Sequence, residues 1–143
     1  MSNLVLIVRL GGRRVAIRAD AVSAVVELDE IAPVPRAAPH IAGLAALRSR
    51  VLTVIDTYGA IGLLRPGNEG REVVVVELDG HHYALTVDSV DDVVEAAAET
   101  TAARMPLKSG WARIAAGAVE ANGDMLLLVD VAALIAGPQS IAA

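Results

Sequence analysis

The apolar positions of this chain fall in short runs punctuated by glycine. Residues 4–10 are Leu, Val and Ile broken only at Arg9, and they end at Gly11-Gly12. Residues 73–78 form a similar run ending at Asp79-Gly80. β-Branched runs favour the extended chain, and such residue pairs favour two-residue turns, so each run predicts a strand entering a hairpin. The returning segments, 14–18 and 82–86, alternate polar and apolar side chains, as a strand does with one face buried. Asn122-Gly123 predicts a further hairpin, leading into a strand over 125–129. Asp56 and Asp130 each follow a strand and precede a helix-compatible segment, where a carboxylate can accept N-cap hydrogen bonds. Gly62 and Gly137 stand where those helices would end. Pro33, Pro35 and Pro39 make 32–40 an extended connection, and 65–71 is a polar link.

The pattern repeats. Residues 4–27 align without a gap on 72–95, at an offset of 68. Identical pairs include Val5/Val73, Leu10/Leu78, Gly12/Gly80, Ala16/Ala84, Asp20/Asp88, Val22/Val90, Val25/Val93, Val26/Val94 and Glu27/Glu95. Farther along, residues 51–62 align on 125–136 at an offset of 74, placing Asp56 opposite Asp130 and Ile61 opposite Ile135. Two similar blocks in the same order imply a tandem duplication rather than shared composition. The expected organisation is one domain over 1–143, made of two pseudo-symmetric units, about 1–68 and 69–143. Several short strands per unit with Gly-rich turns predict an all-β fold of two small barrels, since closure removes exposed strand edges.

Composition narrows the function classes. With 143 residues, 55% apolar and 2% aromatic, the chain has Tyr58, Tyr83 and Trp111 as its only aromatics. That leaves no set of stacking platforms for single-stranded nucleic acid. A net charge of −5 gives no electrostatic reason to bind phosphates either. There is no cysteine, hence no disulfide and no thiolate chemistry. No signal peptide and no apolar run of bilayer length is evident, so the expectation is a soluble, cytoplasmic protein without membrane insertion. The charge is uneven: residues 1–71 sum to +3 and residues 72–143 to −8. Such a bipolar module could stack head to tail, positive unit on negative unit; drift of surface charge after duplication would give the same sums.

Candidate chemistry is sparse. His81 and His82 are adjacent on a predicted strand and so point to opposite faces, which prevents their sharing one metal. His40 has no nearby ligand partner in sequence, and no zinc-type spacing occurs. Asp88, Asp91 and Asp92 lack the glycine and terminal glutamate of a calcium loop and read as a solvated acidic turn. No serine lies in a nucleophile elbow, and no glycine-rich phosphate loop occurs. No cofactor, metal or catalytic residue is expected, and a non-enzymatic protein is.

One segment carries a resemblance. Gly43-Leu44-Ala45-Ala46-Leu47-Arg48-Ser49-Arg50-Val51-Leu52-Thr53-Val54-Ile55-Asp56 resembles the hallmark of CheW-type chemotaxis coupling proteins, roughly Gly-Val-x-Asn-Leu-Arg-Gly-x-Val-x-Pro-Val-Ile-Asp-Leu. The opening strands, the Pro-rich connection and Val87-Asp88-Ser89-Val90 fit in the same order over 4–136. Arg48 keeps the motif's arginine, whereas Ala46 replaces its Asn, Ser49 its Gly and Thr53 its Pro. The resemblance implies two SH3-like five-stranded barrels with short helices. It also implies an adaptor that links the cytoplasmic tip of a chemoreceptor to the CheW-like regulatory domain of a histidine kinase, with the receptor tip in an apolar groove between barrels. On this reading Arg48, with Leu47 and Val51 beside it, contacts a partner. Val25 and Val93 hold equivalent places in the units and read as either docking surface or core, and Asp56 and Asp130 as caps or contacts. Two other readings stay open. One is a divergent CheW-like module that self-associates or regulates one partner without bridging a receptor array; the other is a small-molecule-binding or catalytic barrel.

Overall fold

The computed structural model describes residues 3–63, 72–100 and 107–138; the polar link at 65–71 lies outside them. The fold is all-β with short helices. The first repeat supplies β1 (Leu4–Leu10), β2 (Arg13–Arg18), β3 (Val22–Glu27), β4 (Ile41–Leu47), β5 (Arg50–Ile55) and α1 (Thr57–Ala60). The second supplies β6 (Glu72–Leu78), β7 (His81–Thr86), β8 (Ser89–Glu95), β9 (Ala98–Thr100), α2 (Ser109–Arg113), β10 (Ala115–Ala121), β11 (Asp124–Val129) and α3 (Val131–Ala136). The expected hairpins form, and their turn residues have positive φ: Gly11-Gly12 at 61° and 79°, Asp79-Gly80 at 53° and 81°, Asn122-Gly123 at 52° and 83°.

The strands assemble into two sheets, ordered β8-β1-β2-β11-β10-β9 and β3-β6-β7-β5-β4. The duplication is legible down to the register. Leu4↔Glu95 and Val8↔Val90 in one sheet answer Glu72↔Glu27 and Val76↔Val22 in the other. The parallel pairing Leu128↔Ala16 answers Val54↔Ala84. Even the bulges correspond, between Ala115 and Gly117 and between Ile41 and Gly43. The extra strand β9 has as its counterpart a single bridge, Ala32↔Leu44.

The sheets do not divide the chain as the repeats do. The β1–β2 hairpin of the first repeat lies among strands of the second, and β6–β7 of the second lies among strands of the first. This exchange explains why residues 4–10 and 73–78 read as continuous apolar runs rather than as alternating strands. Each exchanged strand is buried on both faces. Val5 and Ile7 point into the core of the first sheet with Ala16, Val119 and Leu128. Val73 and Val75 point into that of the second with Leu52, Val54 and Ala84. The intervening side chains, Leu6, Val8, Val74 and Val76, meet in a third cluster with Ile17, Ile55, Leu85, Leu127 and Leu134. That shared cluster fills the layer between the sheets. Each fully buried Val, Leu or Ile there contributes roughly 1.5–3 kcal/mol.

The exchange also redraws the charge. Arg14 and Arg18 of the β1–β2 hairpin sit beside the acidic second half: Arg14 bridges Asp91 and Asp124, each at 3.3 Å, and Arg18 meets Glu99 at 2.7 Å. Cations of the positive first half are therefore paired in space with acids of the negative second half.

The helix ends follow expectation in part. Asp130 Oδ1 accepts from the Ala133 amide at 3.1 Å and caps α3, and Gly137 ends it with φ 76°. Asp56 occupies the N-cap place of α1, but its side chain does not cap the four-residue helix. Helix α2 has no counterpart: the equivalent positions of the first repeat hold Pro35 and Pro39. It packs closely, since a Cβ at Gly110 would lie 2.0 Å from the Ile61 carbonyl oxygen. Its Trp111 covers the shared core, with the Arg13 guanidinium 5.3 Å from the ring centroid.

Candidate partner-binding surface

Leu47, Arg48 and Val51 come together at the tip of the β4–β5 hairpin. Leu47 pairs with Arg50, which leaves Arg48 and Ser49 as a two-residue turn. Its counterpart in the other half is Asn122-Gly123, whose residues are suited to positive φ. Here Arg48 itself adopts φ 57°, a left-handed conformation that an L side chain disfavours. The hairpin forms with Ser49 in place of the motif's glycine, and the first turn position is left-handed here as at Asn122 and Asp79. Among the described residues, Arg48 is exposed and makes no hydrogen bond or ion pair.

Side-chain alternation separates the three residues by face. Leu47 is half-buried and packs on the core with Leu28, Ala45 and Leu52. Val51 faces outward opposite Ala46 and is 65% exposed, the most of any large apolar residue described. Leu44, opposite Thr53 on the same face, is 39% exposed, so the stripe Leu44–Ala46–Val51 is apolar and open to solvent. A cavity of about 530 Å³ opens beside the tip and is lined also by residues of β3, β6 and β7. Its floor includes Leu52 and Val75, and its rim carries Arg48, Arg50 and His82 against Glu77.

Val25 and Val93 lie elsewhere, on the edge strands β3 and β8. They pair with Val74 and Leu6, both members of the shared core, so each extends the face of the central layer outward. At 40% and 49% exposure they are not core. The two are pseudo-symmetric, as Val51 is with the exposed Met125. The hairpin tip and these edge valines are separate surfaces; Ser23 and Ala24 of β3 reach the hairpin cavity, while Val25 points to the central layer.

His40, His82, Asp88 and Asp91 make contacts within the fold. His40 is 5% exposed and its Nε2 donates to the Ile135 carbonyl at 2.8 Å, tying the Pro-rich connection to α3. His82, on β7, has the Arg50 guanidinium against its ring. Asp88 accepts from the Gly12 amide at 2.9 Å and from the Tyr58 hydroxyl at 2.9 Å, so it fastens the β1–β2 turn to α1. Asp91 is held by Arg14. Arg113, passed over in the sequence, donates to the carbonyls of Ala133 at 2.7 Å and Ala60 at 2.5 Å, joining α3 to α1. No group of His and carboxylates able to hold a metal occurs among the described residues, and no described helix is long and apolar enough to cross a membrane.

Comparison with known proteins places this architecture. A sequence profile of the CheW-like domain matches residues 4–139. The fold superposes on the scaffolding protein TtCheW from Thermoanaerobacter tengcongensis with a TM-score of 0.77 at 20% identity, over 90% of this chain and 89% of that one. No curated protein matches the chain by sequence.

Proposed function

Because the chain belongs to the CheW-like domain family of non-enzymatic scaffolds, we propose that it is a cytoplasmic chemotaxis adaptor. In this reading it couples the cytoplasmic tip of a chemoreceptor to the regulatory, CheW-like domain of a histidine kinase. Arg48, Leu47 and Val51 form one contact surface, and Val25 and Val93 supply apolar contact at the edges of the central layer. The observation that carries this is the hairpin tip. A left-handed arginine whose side chain has no partner among the described residues stands beside a valine 65% exposed. Strain and exposed apolar area that stabilise nothing within the chain are what a docking site retains.

The test is retention of the purified chain by immobilised receptor tip and by the kinase regulatory domain, repeated with Arg48→Glu. Binding of both by the parent chain, with loss of one through Arg48→Glu, supports the reading. Retention by neither, with the fold intact by circular dichroism, overturns it. Retention by one alone, or concentration-dependent self-association, favours a module that regulates a single partner or pairs with itself.

A further inference from the structure

The two halves differ at one sheet edge, and the difference leaves a slot. In the first sheet β10 is covered along its outer edge by β9, with Ala118↔Thr100, Val119↔Glu99 and Glu120↔Ala98 in register. The Ala97 amide completes this cover by donating to the Glu120 carbonyl at 2.8 Å. In the second sheet the equivalent segment, 27–32, holds the edge of β4 only at its far end. There Ala32 and Leu44 exchange two hydrogen bonds of 2.8 Å, and a Cβ at Gly43 would lie 2.3 Å from the Ala32 oxygen. Before Ala32 the chain peels away. Leu28, at the place of Ala96, turns inward and is 3% exposed.

Antiparallel geometry then fixes what the edge presents. Leu44 points its amide and carbonyl outward to Ala32, so Ala46, two residues on, points its own amide and carbonyl the same way. Neither has a partner among the described residues. Between Ala46 and the peeled segment lies a gap of about 360 Å³. Leu44 and Leu47 line it with apolar surface and Glu27 and Glu30 with negative charge, and among the described residues no cation lines it.

We infer that this slot takes an extended, basic segment of a partner protein, which adds to β4 as β9 adds to β10. A free donor and acceptor on one edge residue are the requirement for strand addition, and pockets for alternate side chains select the sequence. The matching occupant places aliphatic side chains against Leu44 and Leu47 and Lys or Arg against Glu27 and Glu30. The contact shares Leu47 with the Arg48 surface but does not depend on the adaptor reading.

The experiment is titration of the ¹⁵N-labelled chain with a blocked Lys-Val-Lys-Val-Lys peptide, with Glu-Val-Glu-Val-Glu as the control. The expected result is saturable shifts at Ala46, Leu47 and Glu30, slowed exchange of the Ala46 amide, and binding of the Glu peptide weaker by at least about tenfold. Ala46→Pro removes the donor at an edge position where proline is tolerated, and should abolish binding. Glu27→Lys with Glu30→Lys should reverse the peptide preference without touching the strand, and decides the matter should Ala46→Pro unfold. Equal binding of both peptides, shifts confined to other surfaces, or an Ala46 amide already protected in the free chain would overturn the inference. So would self-association that occupies this edge.

Discussion

Replacing Arg48 by glycine should make the protein more stable and a poorer binder. The left-handed region costs a non-glycine residue about 1–2 kcal/mol, and Arg48 sits in it with φ 57°. No ion pair or hydrogen bond of its side chain offsets this among the described residues, so truncation removes nothing that holds the fold. Glycine relieves the strain but brings an unfolded-state entropy cost of roughly 0.5–1 kcal/mol. The net expectation is a gain of about 0.5–1 kcal/mol, or about 2–4 °C in Tm for a chain of this size. Asn122→Gly supplies the internal control, because that residue holds the pseudo-symmetric place at φ 52° and asparagine tolerates the region well. Chemical denaturation of the three proteins, with m-values compared, separates stability from changes in compactness. A lowered midpoint for Arg48→Gly, or a gain no larger than that of Asn122→Gly, would refute strain at Arg48. Loss of partner retention in the same stabilised variant would show that strain there serves docking.

Three further outcomes follow from the geometry. Gly137→Ala should cost more than about 2 kcal/mol, against about 1 kcal/mol for Gly123→Ala. Both have positive φ, but only at Gly137 would the new Cβ strike a side chain, the His40 ring at 2.3 Å; a double-mutant cycle with His40→Ala, read by denaturation, should recover part of the loss. Arg18→Ala should cost less than about 1 kcal/mol and nothing measurable in high salt, because Arg18 and Glu99 are both about half exposed; a larger, salt-independent loss in urea melts would refute this. Fragments 1–68 and 69–143 should each fail to unfold cooperatively alone and should recover native circular dichroism when mixed, because each sheet takes a hairpin from the other fragment; a cooperative melt by either fragment alone would contradict the exchange.

The sequence was most informative where local rules act. The turn pairs at Gly11-Gly12, Asp79-Gly80 and Asn122-Gly123 each form as their residue types require, and the repeat was visible in identities such as Asp20/Asp88. Strand β4 was harder to read, since Ile41–Leu47 holds glycine and three alanines and lacks the β-branched signature. Its strand character comes from pairing with β5 rather than from propensity. Helix α2 was missed because Ser109–Arg113 spans little more than one turn, and packing of Trp111 on the core holds it. The hairpin exchange was illegible for a different reason. Repeat identity reports which segments are equivalent, whereas which copy pairs with which depends on long-range contacts that both arrangements would satisfy locally. The unbroken run at 73–76 was the available sign, since a strand with one solvated face alternates.

The exchange bears directly on how a scaffold of this kind works. Two independently folded barrels joined by a linker would move against each other by default, because ordinary interdomain interfaces are small and polar. Here the layer between the sheets is a continuous apolar core, with Leu6, Val8, Val74, Val76, Ile55 and Leu127 drawn from both repeats. Arg113 adds hydrogen bonds to the carbonyls of both α1 and α3. Rotation of one barrel against the other would expose those side chains at roughly 25 cal/mol for each Å² of apolar surface. The hairpin tip on one barrel and the edge valines on both are therefore held at fixed separation and orientation. The proposed adaptor role, holding two partners in a set geometry, would need that rigidity, and the interleaving of the repeats supplies it.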